Sequence, residues 1–190
     1  MVTLLRLGSS LIIALLAVGA GAADTTFVSG TAEPSAAPVD AGGITSQSSA
    51  ATALPSMSTA RTEYTATLLA GGQVLIAGGS PTFITAELYE PAQQAFRPVA
   101  DMNYGRSGHT ATLLPSGSVL IAGGEDQSGI PLSAAELFIP ASAAFTPIHP
   151  MTTARVGSTA TLLKTNQVLI AGGWDNGNVT SSAELFNPAT

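Results

Sequence analysis

The string TATLL occurs three times in this chain of 190 residues, and each time VLIAGG follows it after a four-residue connector. Repetition at this fidelity constrains the fold more than any other property, because a unit copied in tandem cannot bury its apolar face alone and must stack on its neighbours. Each copy opens on a methionine, at Met57, Met102 and Met151, so the starts lie 45 and 49 residues apart. An arginine follows four positions later (Arg61, Arg106, Arg155), and each copy runs on to AELY or AELF, which carries Glu87, Glu136 and Glu184. Length varies only between the Gly-Gly pair and that glutamate, which confines the insertions to one loop.

The unit reads as strands. TATLL and VLIA are short, apolar and bounded by turn residues. The third connector position is Gly72, Gly117 or Asn166, the residue types that accept a positive φ, so a tight hairpin is expected there. VLIA is apolar at every position and fits an inner strand covered on both faces. AELY and AELF supply a third strand. AFRPV and AFTPI supply a fourth, and Pro98 and Pro147 restrict it to a sheet edge.

Four strands per unit of this length, with Gly-Gly closing the second strand, match the blade of a β-propeller. The segments 102–124 and 135–145 resemble Kelch repeats, in the bacterial form similar to the central propeller of galactose oxidase. The resemblance covers 57–190 and rests on the Gly-Gly pairs Gly78-Gly79, Gly123-Gly124 and Gly172-Gly173, the AELF strand and the aromatic that follows. It implies an all-β fold of three four-stranded antiparallel repeats at 57–101, 102–150 and 151–190, the last truncated and the propeller incomplete in this chain. The Trp-Asp pair of the rival WD blade occurs once, at Trp174-Asp175, in one copy of three. Three repeats leave open edges, an aggregation liability. A longer parent protein, a homodimer completing a six-bladed ring, or a fourth strand from 51–54 would each close them.

The N-terminal part is of another kind. Residues 1–22 carry one cation, Arg6, then an apolar stretch, then Ala20-Gly21-Ala22, the three-part pattern of a cleaved export signal. The stretch is shorter than the roughly 20 apolar residues of a membrane span, so no stable span is expected after cleavage. Residues 23–56 are rich in Ala, Ser, Thr and Pro and read as a flexible linker. The expected location is secreted, periplasmic or at the cell surface.

Composition removes several function classes. The chain has no cysteine, which excludes disulfides, zinc-thiolate sites and a cysteine nucleophile. Its net charge is −6, with the basic residues scattered, so no nucleic-acid surface is expected. No hydrolase elbow, zinc-protease motif or P-loop occurs. The cross-linked Tyr-Cys copper site of galactose oxidase cannot form without cysteine, so the resemblance carries fold and not activity. The expectation is a non-enzymatic binding or scaffolding module with no cofactor and no metal, its ligand a protein or a surface polysaccharide. The alternative is the propeller part of a larger extracellular carbohydrate-active enzyme with catalytic residues elsewhere.

Candidate residues follow from repetition and its failure. Arg61, Arg106 and Arg155 recur with Glu87, Glu136 and Glu184, which points to structural ion pairs rather than a ligand site. The residue before TATLL differs in each copy (Tyr64, His109, Ser158), which makes His109 a candidate ligand contact, with a hydrogen-bonded structural role as the competing reading. The loops after Gly-Gly are the most individual. Trp174, Asp175 and Asn176 are candidates for stacking on and hydrogen-bonding a sugar, and Glu125 and Asp126 are candidate acidic contacts too few for a calcium cage.

Overall fold

The computed structural model describes residues 53–187, so the expected export signal and all but 53–56 of the expected linker lie outside it. No helix occurs among the described residues. The chain is all-β. The first copy forms an antiparallel sheet of β1 (Thr65–Leu68), β2 (Val74–Ala77), β3 (Ala86–Glu90) and β4 (Ala95–Pro98), in that spatial order. The second repeats it with β5 (Thr110–Leu113), β6 (Val119–Ala122), β7 (Ala135–Ile139) and β8 (Ala144–Ile148). The third has three strands among the described residues, β9 (Thr159–Leu162), β10 (Val168–Ala171) and β13 (Ala183–Phe186), with a separate hairpin of β11 (Trp174–Asp175) and β12 (Asn178–Val179).

Local chemistry accounts for the strands. The connectors turn on Gly72, Gly117 and Asn166, at φ of 85°, 84° and 64°. A left-handed residue closes each tight hairpin, and β-carbon sterics make glycine and asparagine the easiest occupants. Each VLIA strand lies between two others, and β6 is buried along its whole length. The two proline-bearing strands, β4 and β8, sit at sheet edges, where a missing N–H breaks no ladder bond. Ala53 and Leu54 belong to no strand and are exposed, so the described half of 51–54 adds nothing to the third sheet.

Alternating faces of the central strand build two cores. Val119 and Ile121 of β6 pack with Leu75, Ala77, Ala86 and Leu88 of the first sheet. Leu120 and Ala122, from the opposite face of β6, pack with Val168 and Ile170 of the third. Each valine, leucine and isoleucine among them contributes about 1.5–3 kcal/mol through burial, and each alanine less. Phe138 and Phe145 face each other across β7 and β8 with ring centroids 5.0 Å apart and close the first core.

The Gly-Gly pairs set the spacing between consecutive sheets. Gly79 N–H donates to the carbonyl of Arg106 at 2.9 Å, and Gly124 N–H donates to that of Arg155 at 2.7 Å. Both residues of each pair have positive φ. A β-carbon on Gly123 would lie 2.5 Å from the Arg155 carbonyl oxygen, and one on Gly78 would lie 2.5 Å from that of Arg106. The pair thus combines a left-handed backbone with a neighbour too close for any side chain. Gly123→Ala is expected to destabilise the protein by about 2 kcal/mol or more, since strain and displacement of backbone add together. Denaturant unfolding followed by circular dichroism checks this, and an unchanged midpoint contradicts the close approach.

Candidate functional site

The segments leading into β1, β5 and β9 organise the end of the molecule where the candidate residues gather. In each, the arginine reaches into its own sheet. Arg106 Nη1 donates to the carbonyls of Gly123 and Ala134 at 2.7 and 2.8 Å, and its Nη2 donates to Glu136 Oε1 at 3.0 Å. Arg61 makes the same three contacts with Gly78, Thr85 and Glu87, and Arg155 with Gly172, Ser182 and Glu184. The second carboxylate oxygen accepts the backbone N–H that follows the repeat's methionine, from Ser58, Asn103 or Thr152. These side chains tie each lead-in segment to the second and third strands of its own repeat. Its backbone meanwhile pairs with the preceding repeat: Arg106 N–H donates to Phe83 and Arg155 N–H to Leu132. The arginine therefore joins adjacent sheets through its peptide and one sheet through its guanidinium.

The environment of these ion pairs bears on their charge. Burial raises the Glu87 carboxyl, but the Ser58 N–H and Arg61 outweigh it and hold the group below its ordinary value. Glu184 is lowered by the same balance, with Thr152 and Arg155 as donors. The Arg106 and Glu136 side chains are fully enclosed, whereas Glu184 keeps 20% of its side-chain surface exposed.

His109 takes the hydrogen-bonded position of the reading that competed with a ligand contact. It is buried, with Nε2 2.8 Å from Thr65 Oγ1 across the first and second repeats. Gly78 and Gly124 press on it, since a β-carbon on either would meet the His109 side chain within 3 Å. Tyr64 and Ser158 take the matching positions against Gly79 and Gly173. Variation at this position reflects packing between neighbouring repeats. Burial, followed by the nearby Arg106 charge, pushes the imidazole down to about 3.

Trp174 and Asp175, expected in an irregular loop, form strand β11. The turn is Asn176-Gly177, at φ of 45° and 94°. Asn-Gly is a strong two-residue hairpin signal, and it was present in the string WDNGNV. Trp174 pairs with Val179 and bridges Val156 of its lead-in segment. It remains 36% exposed, and Asn176 Nδ2 donates to Asp175 Oδ1 at 2.8 Å. Glu125 takes the same place in the second repeat, bridging Ser107, so Trp174 and Glu125 sit at matching ends of consecutive sheets. Asp126 closes its own loop through one carboxylate oxygen, Oδ1 accepting the N–H groups of Ser128 and Ile130 at 2.8 and 3.0 Å. Among the described residues no group of three or more histidine or acidic side chains is placed to hold a metal ion.

One concavity at this end was not foreseen. A groove of about 270 Å³ lies between 80–84 and 125–127, lined by Thr82, Phe83, Ile84, Gly105, Asp126 and Gln127. Ile84 beside it is 38% exposed, and Tyr104 is 44% exposed with the Arg106 guanidinium 5.8 Å from its ring centre. An aliphatic residue left open in a loop otherwise rich in small and polar side chains was the available signal. Of the sequence candidates only Asp126 borders this groove, while Trp174, Asp175 and Asn176 stand on the next repeat's hairpin.

No protein-family model and no curated protein sequence matches this chain. No helix among the described residues is long and apolar enough to cross a membrane.

The depressed imidazole gives a pH dependence. An unfolded chain protonates His109 near the ordinary value of about 6.5, whereas the folded chain resists until about 3. Between these values the unfolded state holds more protons, so stability falls as pH drops through the window and the contribution is complete above it. Urea unfolding from pH 7 to pH 4 is expected to show this decline, with a shallower slope in His109→Gln. Equal slopes would contradict a buried neutral imidazole.

Proposed function

We propose that this is an exported Kelch-type β-propeller segment that acts as a non-enzymatic binding or scaffolding module. The observation that carries the architectural reading is the stack of consecutive sheets whose first strands, β1, β5 and β9, lie side by side. Sheets that converge on their first strands while packing face to face are what propeller blades do. The Gly-Gly pair after the second strand and the arginine latch occur at the same place in every copy and support the Kelch form of the repeat. Export rests on the pattern of residues 1–22.

The binding role rests on the end bearing the loops after Gly-Gly. There a rigid scaffold presents the individual parts of each copy: the groove at Phe83 and Ile84, the Asp126 loop and the Trp174 hairpin. Recognition residues concentrate on such loops, and a partly exposed tryptophan is an effective anchor for a sugar ring or a protein side chain. The proposed ligand is a surface polysaccharide or a protein. Binding of the purified chain to a glycan array tests the first, with Trp174→Ala expected to weaken the signal at least tenfold while the unfolding midpoint stays unchanged. Equal binding by Trp174→Ala removes the hairpin from the site.

A further inference from the structure

The groove at Phe83 and Ile84 lies between the first and second repeats, each of which has all four of its strands, so no missing strand explains it. Its walls do not recur at the next junction. Arg106 N–H donates to the Phe83 carbonyl as Arg155 N–H does to that of Leu132, and Met102 N–H donates to Ile84 as Met151 N–H does to Ser133. Leu132 and Ser133 therefore stand where Phe83 and Ile84 stand. The residue before the arginine is Gly105 at the first junction and Ala154 at the second. A β-carbon on Gly105 would lie 3.2 Å from Phe83 Cβ, so the glycine gives the phenylalanine its place.

Charge is unevenly distributed around this groove. Arg61, Arg97, Arg106 and Arg155 are paired with Glu87, Glu90, Glu136 and Glu184. Five carboxylates have no cationic partner among the described residues: Glu63, Asp101, Glu125, Asp126 and Asp175. All five stand at the Gly-Gly end. The Glu63 carbonyl accepts the Gly108 N–H, Asp101 precedes Met102, Glu125 bridges Ser107, and Asp175 lies in the Trp174 hairpin. Asp126 lines the groove itself, and only its Oδ1 is engaged. Lys164 sits at the other end, in the turn between β9 and β10. The remaining basic residue is Arg6, and residues 7–60 contain no lysine or arginine, so the segment before the first repeat cannot neutralise this face.

We infer that the groove receives an arginine or lysine side chain of a basic partner protein, its apolar stem on Phe83 and Ile84 and its charge at Asp126. Long cationic side chains bury the stem and keep the head at a polar rim, where a carboxylate oxygen accepts a charge-assisted hydrogen bond. The surrounding carboxylates draw a basic partner to this end and disfavour an anionic one. The inference rests on the reading of the Gly-Gly end as a binding face, and it selects a protein over a polysaccharide as the ligand of the groove.

The probe is the peptide acetyl-Gly-Gly-Arg-Gly-Gly-amide, titrated into the isotope-labelled full chain and followed by amide chemical shifts. Its control carries citrulline, which keeps the shape of arginine without the charge. Saturable shifts are expected at Phe83, Ile84, Gly105 and Asp126, with binding that weakens from about 20 to about 300 mM sodium chloride. The citrulline peptide is expected to bind at least tenfold more weakly. Asp126→Asn, whose amide oxygen can still accept from Ser128 and Ile130, is expected to lose at least fivefold, and Ile84→Ser to weaken binding as well, while Trp174→Ala changes nothing. Absence of saturable shifts, equal binding of the citrulline peptide, or wild-type affinity in both groove variants would each overturn the proposal. Shifts centred on the Trp174 hairpin, or a glycan-array signal without peptide binding, would overturn it and leave the broader reading of this end standing. Self-association abolished by Lys164→Gln would overturn it in favour of a second copy of this chain.

Discussion

A guanidinium enclosed by two carbonyls and a carboxylate is the interaction on which each repeat depends. Placing a charge out of water costs several kcal/mol unless it is paired and its hydrogen-bond capacity is used. Arg106 meets both conditions through Gly123, Ala134 and Glu136, with Tyr104 accepting from Nε at 3.2 Å. Arg61 and Arg155 leave Nε without a partner, so the middle repeat has the most complete version of the latch. Such a pair adds little stability compared with an apolar replacement, but it tolerates one geometry only. That selectivity suits a repeat protein, where a lead-in segment must join its own sheet in one register.

The latch and the glycine pair operate as a unit. The carbonyl of Gly123 accepts from the Arg106 side chain, while the N–H of Gly124 donates to the Arg155 peptide. One turn therefore receives the arginine of its own repeat and engages the backbone of the next. Positive φ at both glycines aims these groups in different directions, which an L-residue with a β-carbon cannot do at this approach distance. The apolar faces of β6 then have a fixed neighbour on each side, and the loops after Gly-Gly project from a common end. Their individuality costs the scaffold nothing, since insertions there leave the strands in place.

Strands, central VLIA positions and proline-marked edges were readable because they depend on apolar pattern and backbone chemistry within a few residues. The arginine–glutamate partnership was readable because three copies kept the same two residues at the same places. Contacts between repeats were harder to read. His109 varies between copies, and variation suggests exposure, yet Thr65 and Gly78 of the adjoining repeat close over it together with Gly124 of its own. Trp174 and Asp175 were grouped with loops because a two-residue strand has no periodicity to detect, although Asn176-Gly177 marks the hairpin. Asp126 stood out as an acidic loop residue, but the turn that its Oδ1 closes within its own loop had no copy in the other repeats to reveal it.

The most direct test of the latch is a double-mutant cycle on the second repeat with Arg106→Met, Glu136→Gln and both together, read as unfolding free energy in urea. The account predicts that removing the arginine alone costs about 3–5 kcal/mol by stranding a buried carboxylate. It also predicts a coupling energy of about 2 kcal/mol, with the double variant losing clearly less than the sum of the single losses. Losses that add to within about 0.5 kcal/mol would contradict it, because residues that act independently add in this way.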